Sequence, residues 1–171
     1  MLARRLSDRL NRLAERITVA LLVAMVAVIL LQVLTRYLLQ RPLSWSEEVG
    51  RYLFIWLIFL GSSVCLKREG HVAVTLLLSW LPEGARRGVL IGGRWLVGAF
   101  LVILAVEGLR MLPVVAPQRS PAVQLSMAWV YAAVPFSALL MLLHLLAVPL
   151  PPPPPGNPRE APSEHGPLPP R

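Results

Sequence analysis

An all-α integral membrane protein is the fold class this sequence predicts: four transmembrane helices, an N-terminal amphipathic helix and a short interfacial segment. Two observations carry that expectation. Of the 171 residues, 56% are hydrophobic and only 15% charged, against about 25% charged in a soluble domain. The apolar residues also fall into four runs of about twenty or more, the length that crosses a bilayer as a helix. Nothing outside those runs is long enough to bury a core of its own.

Residues 1–16 place Leu2, Leu6, Leu10 and Leu13 at helical spacing with arginines on the other face. That is a basic amphipathic helix suited to an anionic membrane surface. Span 1 covers about 17–39, with a single polar side chain, Thr18, between Ile17 and Leu31. Its apolar run is too long for a signal peptide, and no small-x-small cleavage site follows it. Span 2 covers about 45–66. Pro42 prevents one continuous helix, so spans 1 and 2 form an antiparallel hairpin through a tight turn. Ser44-x-x-Glu47 reads as a capping box, the Ser44 hydroxyl accepting from the Glu47 backbone N–H.

The ten residues Val72–Leu81 are too few to cross, and they read as an interfacial or re-entrant segment with Trp80 at headgroup depth. Span 3 covers about 89–112. Gly88 and Gly92 are spaced for close helix approach, Arg94 can snorkel to the nearer interface, and Glu107 and Arg110 form an i, i+3 pair. Pro113, Pro117 and Pro121 predict an extended loop. Span 4 covers about 125–148, with Trp129 and Tyr131 near its start and Pro135 inside. Residues 149–171 hold eleven of the seventeen prolines and predict a disordered or polyproline tail.

The net charge is +8, and the basic residues are dispersed between spans. A nucleic-acid site needs them clustered, so no nucleic-acid partner is expected. Their distribution speaks instead to orientation. With both termini in the cytoplasm, eleven Lys and Arg lie inside and five lie outside: Arg36, Arg41, Arg51, Arg110 and Arg119. The positive-inside tendency therefore favours cytoplasmic termini. Cys65 is the single cysteine and reads as a small packing residue. His71, His144 and His165 lack metal-ligand spacing, so no metal site and no cofactor is expected.

The candidate site is the segment from Arg36 to Tyr52, flanked by spans on both sides. It combines Arg36, Tyr37, Arg41, Trp45, Glu47, Glu48, Arg51 and Tyr52. Glu47 and Glu48 stand i, i+4 and i, i+3 to Arg51, the acid N-terminal to the base. Charges at a membrane boundary mark a contact or a pathway, and Trp and Tyr anchor helices at headgroup level. A capped helix start explains Ser44 and Glu47 but not Glu48 and Arg36 with Trp45. An intramembrane protease reading needs three residues between the paired glutamates and the arginine and histidines inside helices; here there are two, and His71 is in a loop. No enzyme activity is expected.

These residues carry a resemblance. Arg36-Tyr37, Trp45-Ser46-Glu47-Glu48-x-x-Arg51-Tyr52, Gly61 and a basic stretch ending in His71 resemble the small membrane subunit of TRAP transporters, the DctQ-like family. Trp129-x-Tyr131-x-x-x-Pro135 in span 4 is similar to that family too. The motif match covers Arg36 to His71, and the four-span layout covers Ile17 to Val148; the Pro-rich tail departs from the family pattern. The resemblance implies a multi-pass protein of the bacterial inner membrane. It would scaffold a large permease subunit in sodium-driven uptake of organic acids such as C4-dicarboxylates, with a periplasmic solute-binding protein as the third partner and lipids around it. Sodium and substrate sites are then expected in the large subunit. Arg36, Tyr37, Trp45, Glu47, Glu48, Arg51 and Tyr52 become candidates for the subunit interface or docking surface, and Glu107–Arg110 for a structural ion pair. Two other classes remain open: a small oligomeric four-span transporter built on Glu107, and a membrane assembly factor.

Overall fold

The computed structural model describes residues 2–40, 43–69 and 83–147. These form α1 (Leu2–Tyr37), α2 (Ser44–Glu69), α3 (Glu83–Val115), α4 (Met127–Tyr131) and α5 (Ala133–Ala147). Four stretches are long and apolar enough to cross a membrane: Ser7–Tyr37, Ser44–Lys67, Arg87–Val115 and Met127–Ala147. The expected interfacial segment 72–81 and the tail 149–171 lie outside the described residues.

The N-terminal amphipathic stretch and span 1 are one helix, not two. Nothing between Ala14 and Ile17 breaks the backbone, and the 36 residues of α1 extend for about 54 Å at 1.5 Å each. That exceeds a hydrocarbon layer of about 30 Å, so the basic first turns continue the span beyond the bilayer. The fourth span departs from expectation in the other direction. It is interrupted at Ala132, because Pro135 has no N–H for the carbonyl four residues before it. Ala132 keeps helical angles (φ −61°, ψ −21°), so α5 continues in nearly the same direction as α4.

The helices pack in the order α1–α2–α5–α3. Among the described residues α1 and α3 form the flanks and have no substantial packing with each other. The most apolar window of α1 is 0% buried, against 39% for the span Met127–Ala147, so α5 is the central element. The interior relies on small side chains: Ser46, Ser63, Ser120, Ser137, Ala133 and Ala138 are fully buried. Lipid tails are as apolar as the helices, so close backbone approach drives their association in a bilayer.

The closest approach is not at the glycines the sequence singled out. Gly88, Gly92 and Gly93 have open space where a Cβ would stand. At Gly108 a Cβ would stand 2.9 Å from Pro135 Cδ and within 3.3 Å of two further ring carbons. The α3–α5 contact is a glycine set against a proline ring.

Polar side chains tie the helices at the end that holds the N-terminus. Lys67 Nζ donates to Asp8 Oδ1 at 2.7 Å, joining α2 to α1. Ser7 Oγ lies 2.8 Å from His144 Nδ1 in a buried hydrogen bond, joining α1 to α5. Arg94 donates to the carbonyl of Leu145, near the end of α5, so it links α3 to α5. Cys65 is exposed, not a packing residue.

Gly108→Ala is expected to destabilise the chain in detergent by about 1–3 kcal/mol, since the proline ring cannot fold away from the added methyl. Gly92→Ala should be neutral or stabilising by up to about 1 kcal/mol, because an open helical site gains the propensity of alanine. Denaturant unfolding of both variants measures the difference in sign.

Candidate functional site

The site forms at the opposite end, where α1 passes into α2 and the 116–126 loop returns beside them. The sequence pattern there leads to an arrangement different from the one expected. Helix α2 already includes Ser44, which makes Leu43 the position that precedes the helix. Ser46, not Ser44, bonds back: its backbone N–H and its Oγ both donate to the Leu43 carbonyl, at 3.1 and 2.7 Å. The Ser44–Glu47 capping box does not form. Glu47 Oε1 accepts instead from Gln32 Nε2 at 3.2 Å, which ties α2 to the last turns of α1.

Glu48 takes a different partner again. Its Oε2 accepts from the backbone N–H groups of Ala122 (3.0 Å) and Val123 (2.8 Å). Its Oε1 accepts from the Tyr52 hydroxyl at 2.8 Å. Tyr52 also lies 3.6 Å from Met127 Sδ, at the start of α4. The carboxylate is buried, with 8% of the residue exposed. Charge-assisted bonds of this kind are about twice as strong as neutral ones, and here they hold a loop 74 and 75 residues away in sequence. The expected ion pairs of Arg51 with Glu47 and Glu48 are both absent, because each carboxylate is turned to another group; Arg51 is exposed.

The loop that Glu48 holds is compact rather than extended. Pro113 lies inside α3. Beyond it, Arg119 and Ser126 form an antiparallel bridge, the Ser120 N–H donates to the Leu125 carbonyl at 2.9 Å, and the Gln124 N–H donates to the Ser120 carbonyl at 3.1 Å. Gln124 closes the turn with φ 58°, a left-handed conformation that few non-glycine residues adopt. The Ala122 and Val123 amides at this tip have Glu48 as their acceptor.

Between α2, the loop and the α4–α5 segment lies a groove of about 820 Å³. Glu47, Arg51 and Arg119 stand at its rim, and Ile55, Phe59 and Val134 line its wall. Trp56 closes the neighbouring contact: its Nε1 donates to the Trp129 carbonyl at 3.2 Å, and its ring lies 6.1 Å from that of Phe136.

The structure thus divides the sequence candidates. Glu47, Glu48 and Tyr52 are engaged within the chain. Arg36, Tyr37 and Trp45 are exposed at the same end. Glu107 and Arg110 do pair, Nη1 to Oε1 at 2.9 Å, with both side chains exposed on α3. Sequence reasoning missed His144, which is 1% exposed with Nε2 buried and unpartnered, and it missed the 120–123 loop. A lone histidine in an apolar run and a proline-spaced loop give no signal of their partners.

Residues 25–149 match the family described as "Tripartite ATP-independent periplasmic transporters, DctQ component". The chain is 30% identical over 142 residues to the sialic acid TRAP transporter small permease protein SiaQ of Vibrio cholerae, covering 80% of this chain and 79% of that one. It is 29% identical over 136 residues to the isethionate TRAP transporter permease protein DctMQ of Oleidesulfovibrio alaskensis, 75% of this chain but 21% of that protein's length. It is 29% identical over 108 residues to the C4-dicarboxylate TRAP transporter small permease protein DctQ of Rhodobacter capsulatus, covering 62% of this chain and 48% of that one.

Replacing Glu48 by Ala leaves two loop amides and the Tyr52 hydroxyl without their acceptor. Glu48→Gln keeps the shape and one acceptor oxygen. The expected order of melting temperature in detergent is wild type, then Glu48→Gln, then Glu48→Ala, with protease cleavage in 116–126 rising several-fold in the alanine variant. Arg51→Ala should leave both readouts unchanged.

Proposed function

The chain belongs to the DctQ family, the small permease components of tripartite ATP-independent periplasmic transporters, and from that premise we propose that it scaffolds a large permease chain. The observation that carries this reading is the row α1–α2–α5–α3. It leaves the middle turns of α1 and α3 as apolar flanks, with Leu22, Val26, Ile29, Trp95, Leu96 and Phe100 exposed. A framework of that shape enlarges the membrane-embedded area of a partner seated against a flank. The long match of this chain to part of a much larger permease protein supports a large partner working beside it.

The substrate class we propose is an organic acid anion. The relatives named above are sialic acid, isethionate and C4-dicarboxylate systems, so the acid is the shared feature and C4-dicarboxylate is one case. Sodium coupling and solute recognition then reside in the large subunit, with a periplasmic binding protein delivering the solute. The inner membrane is the proposed location, with both termini in the cytoplasm. The eleven-to-five distribution of basic residues supports that orientation, and it turns the Arg36–Tyr52 end outward.

For docking of the binding protein the geometry favours Arg36, Tyr37 and Trp45, which are exposed and of the residue types that dominate interfaces. Glu48 and Tyr52 are bound to each other within the chain, while Glu47, with Oε1 on Gln32, and Arg51 stand at the groove. A self-sufficient transporter built on Glu107 finds less support, since Arg110 already neutralises that carboxylate near the end of α3.

Reconstitution tests the proposal. Liposomes carrying the large subunit and this chain, with the binding protein and an inward sodium gradient, are expected to accumulate labelled organic acid. Uptake by this chain alone, or equal uptake by the large subunit alone, would contradict it. Arg36→Ala with Trp45→Ala should weaken binding-protein affinity by about tenfold or more while leaving recovery of the membrane complex unchanged.

A further inference from the structure

We propose that the groove between α2 and the 116–126 loop binds one zwitterionic glycerophospholipid. The phosphate would be held by Arg51 and Arg119, the headgroup amine by Glu47, and an acyl chain by the wall below. This inference rests on the membrane-spanning character of the helices and is independent of the transport role.

The charges at the rim point to this occupant. Glu48 commits one oxygen to two loop amides and the other to Tyr52. Arg51, one turn further along α2, therefore has no carboxylate within ion-pair distance among the described residues. Across the groove Arg119 donates Nη1 to the Gln124 carbonyl at 3.3 Å, and the rest of its guanidinium edge is open to a ligand. Two guanidinium groups facing one space are suited to a phosphate, which each can grip through paired N–H groups. Glu47 stands at the same rim with Oε1 on Gln32, and its other oxygen can accept from an ammonium group.

The wall selects a lipid over a free anion. Ile55 and Phe59 follow Arg51 at i+4 and i+8, so they lie in one stripe down the same helix face. Val134 lines the opposite side. The groove carries charges of both signs at its mouth, as a zwitterionic headgroup does, and apolar side chains below. Trp45 and Trp129 at the same end are residue types of the headgroup layer. A volume of about 820 Å³ lies within the roughly 300–1,000 Å³ of ligand-binding cavities.

The test is native mass spectrometry of the full chain, purified in detergent and titrated with phosphatidylethanolamine. Wild type is expected to retain one lipid per chain. Arg51→Gln with Arg119→Gln should weaken retention by about tenfold or more, and Phe59→Ala should weaken it as well. Arg110→Gln, whose arginine is outside the groove, should bind as wild type. Matching melting temperatures establish that the variants are folded. Retention unchanged in the double variant would overturn the proposal. Displacement of the lipid by millimolar inorganic phosphate alone would overturn it in favour of a free-anion site. Loss of the lipid on assembly with the large permease subunit would overturn it in favour of a protein segment in the groove.

Discussion

Glu48 is the residue on which the loop end of this bundle depends. A carboxylate at a membrane boundary is costly unless its lone pairs are used, and here three donors use them: Tyr52 from its own helix and the Ala122 and Val123 amides from the far loop. The same bonds solve a second problem. A loop between two spans has backbone amides that neither helix ladder can satisfy. One side chain meets both needs, and in doing so fixes α2 against the entry to the fourth span.

The other end is tied by different chemistry to the same effect. Asp8 with Lys67, Ser7 with His144, and Arg94 with the Leu145 carbonyl join all four long helices in a chain of polar links. Between the two ends the contacts are small side chains and the Gly108–Pro135 seat. Such a framework is tied by polar bonds at both ends and exposes apolar side chains of α1 and α3 between them, which suits the proposed scaffold role. It also explains why the Arg51 guanidinium is spare. The acid that would ordinarily pair with it has been spent on the loop.

Much of this layout is legible in the sequence. Run length marks the four spans, since the hydrocarbon thickness sets that length for any helix, but not where the first begins: its helix runs on past Ile17 to Leu2. The pair Glu107–Arg110 followed from helical spacing alone. What the sequence could not reveal were contacts between distant segments. Nothing near Glu48 announces Ala122 and Val123, whose contribution is backbone and so has no side-chain signature. Local rules pointed to the wrong partner in three places. The capping box assigned Glu47 to its own helix when Gln32 was available one helix away. Spacing assigned Arg51 to Glu48. The Gly88–Gly92 spacing marked a close approach that occurs at Gly108, where a proline ring on α5 decides it. In each case a tertiary contact won over a local preference worth only a few tenths of a kcal/mol to about 1 kcal/mol.

Residue-resolved hydrogen exchange on the unmodified chain in detergent tests whether Glu48 holds the loop through two backbone amides. The Ala122 and Val123 amides, although at a loop tip outside any helix, are expected to exchange far more slowly than an unstructured peptide and to open together. Exchange of both at the unstructured rate would mean that the carboxylate does not hold the loop.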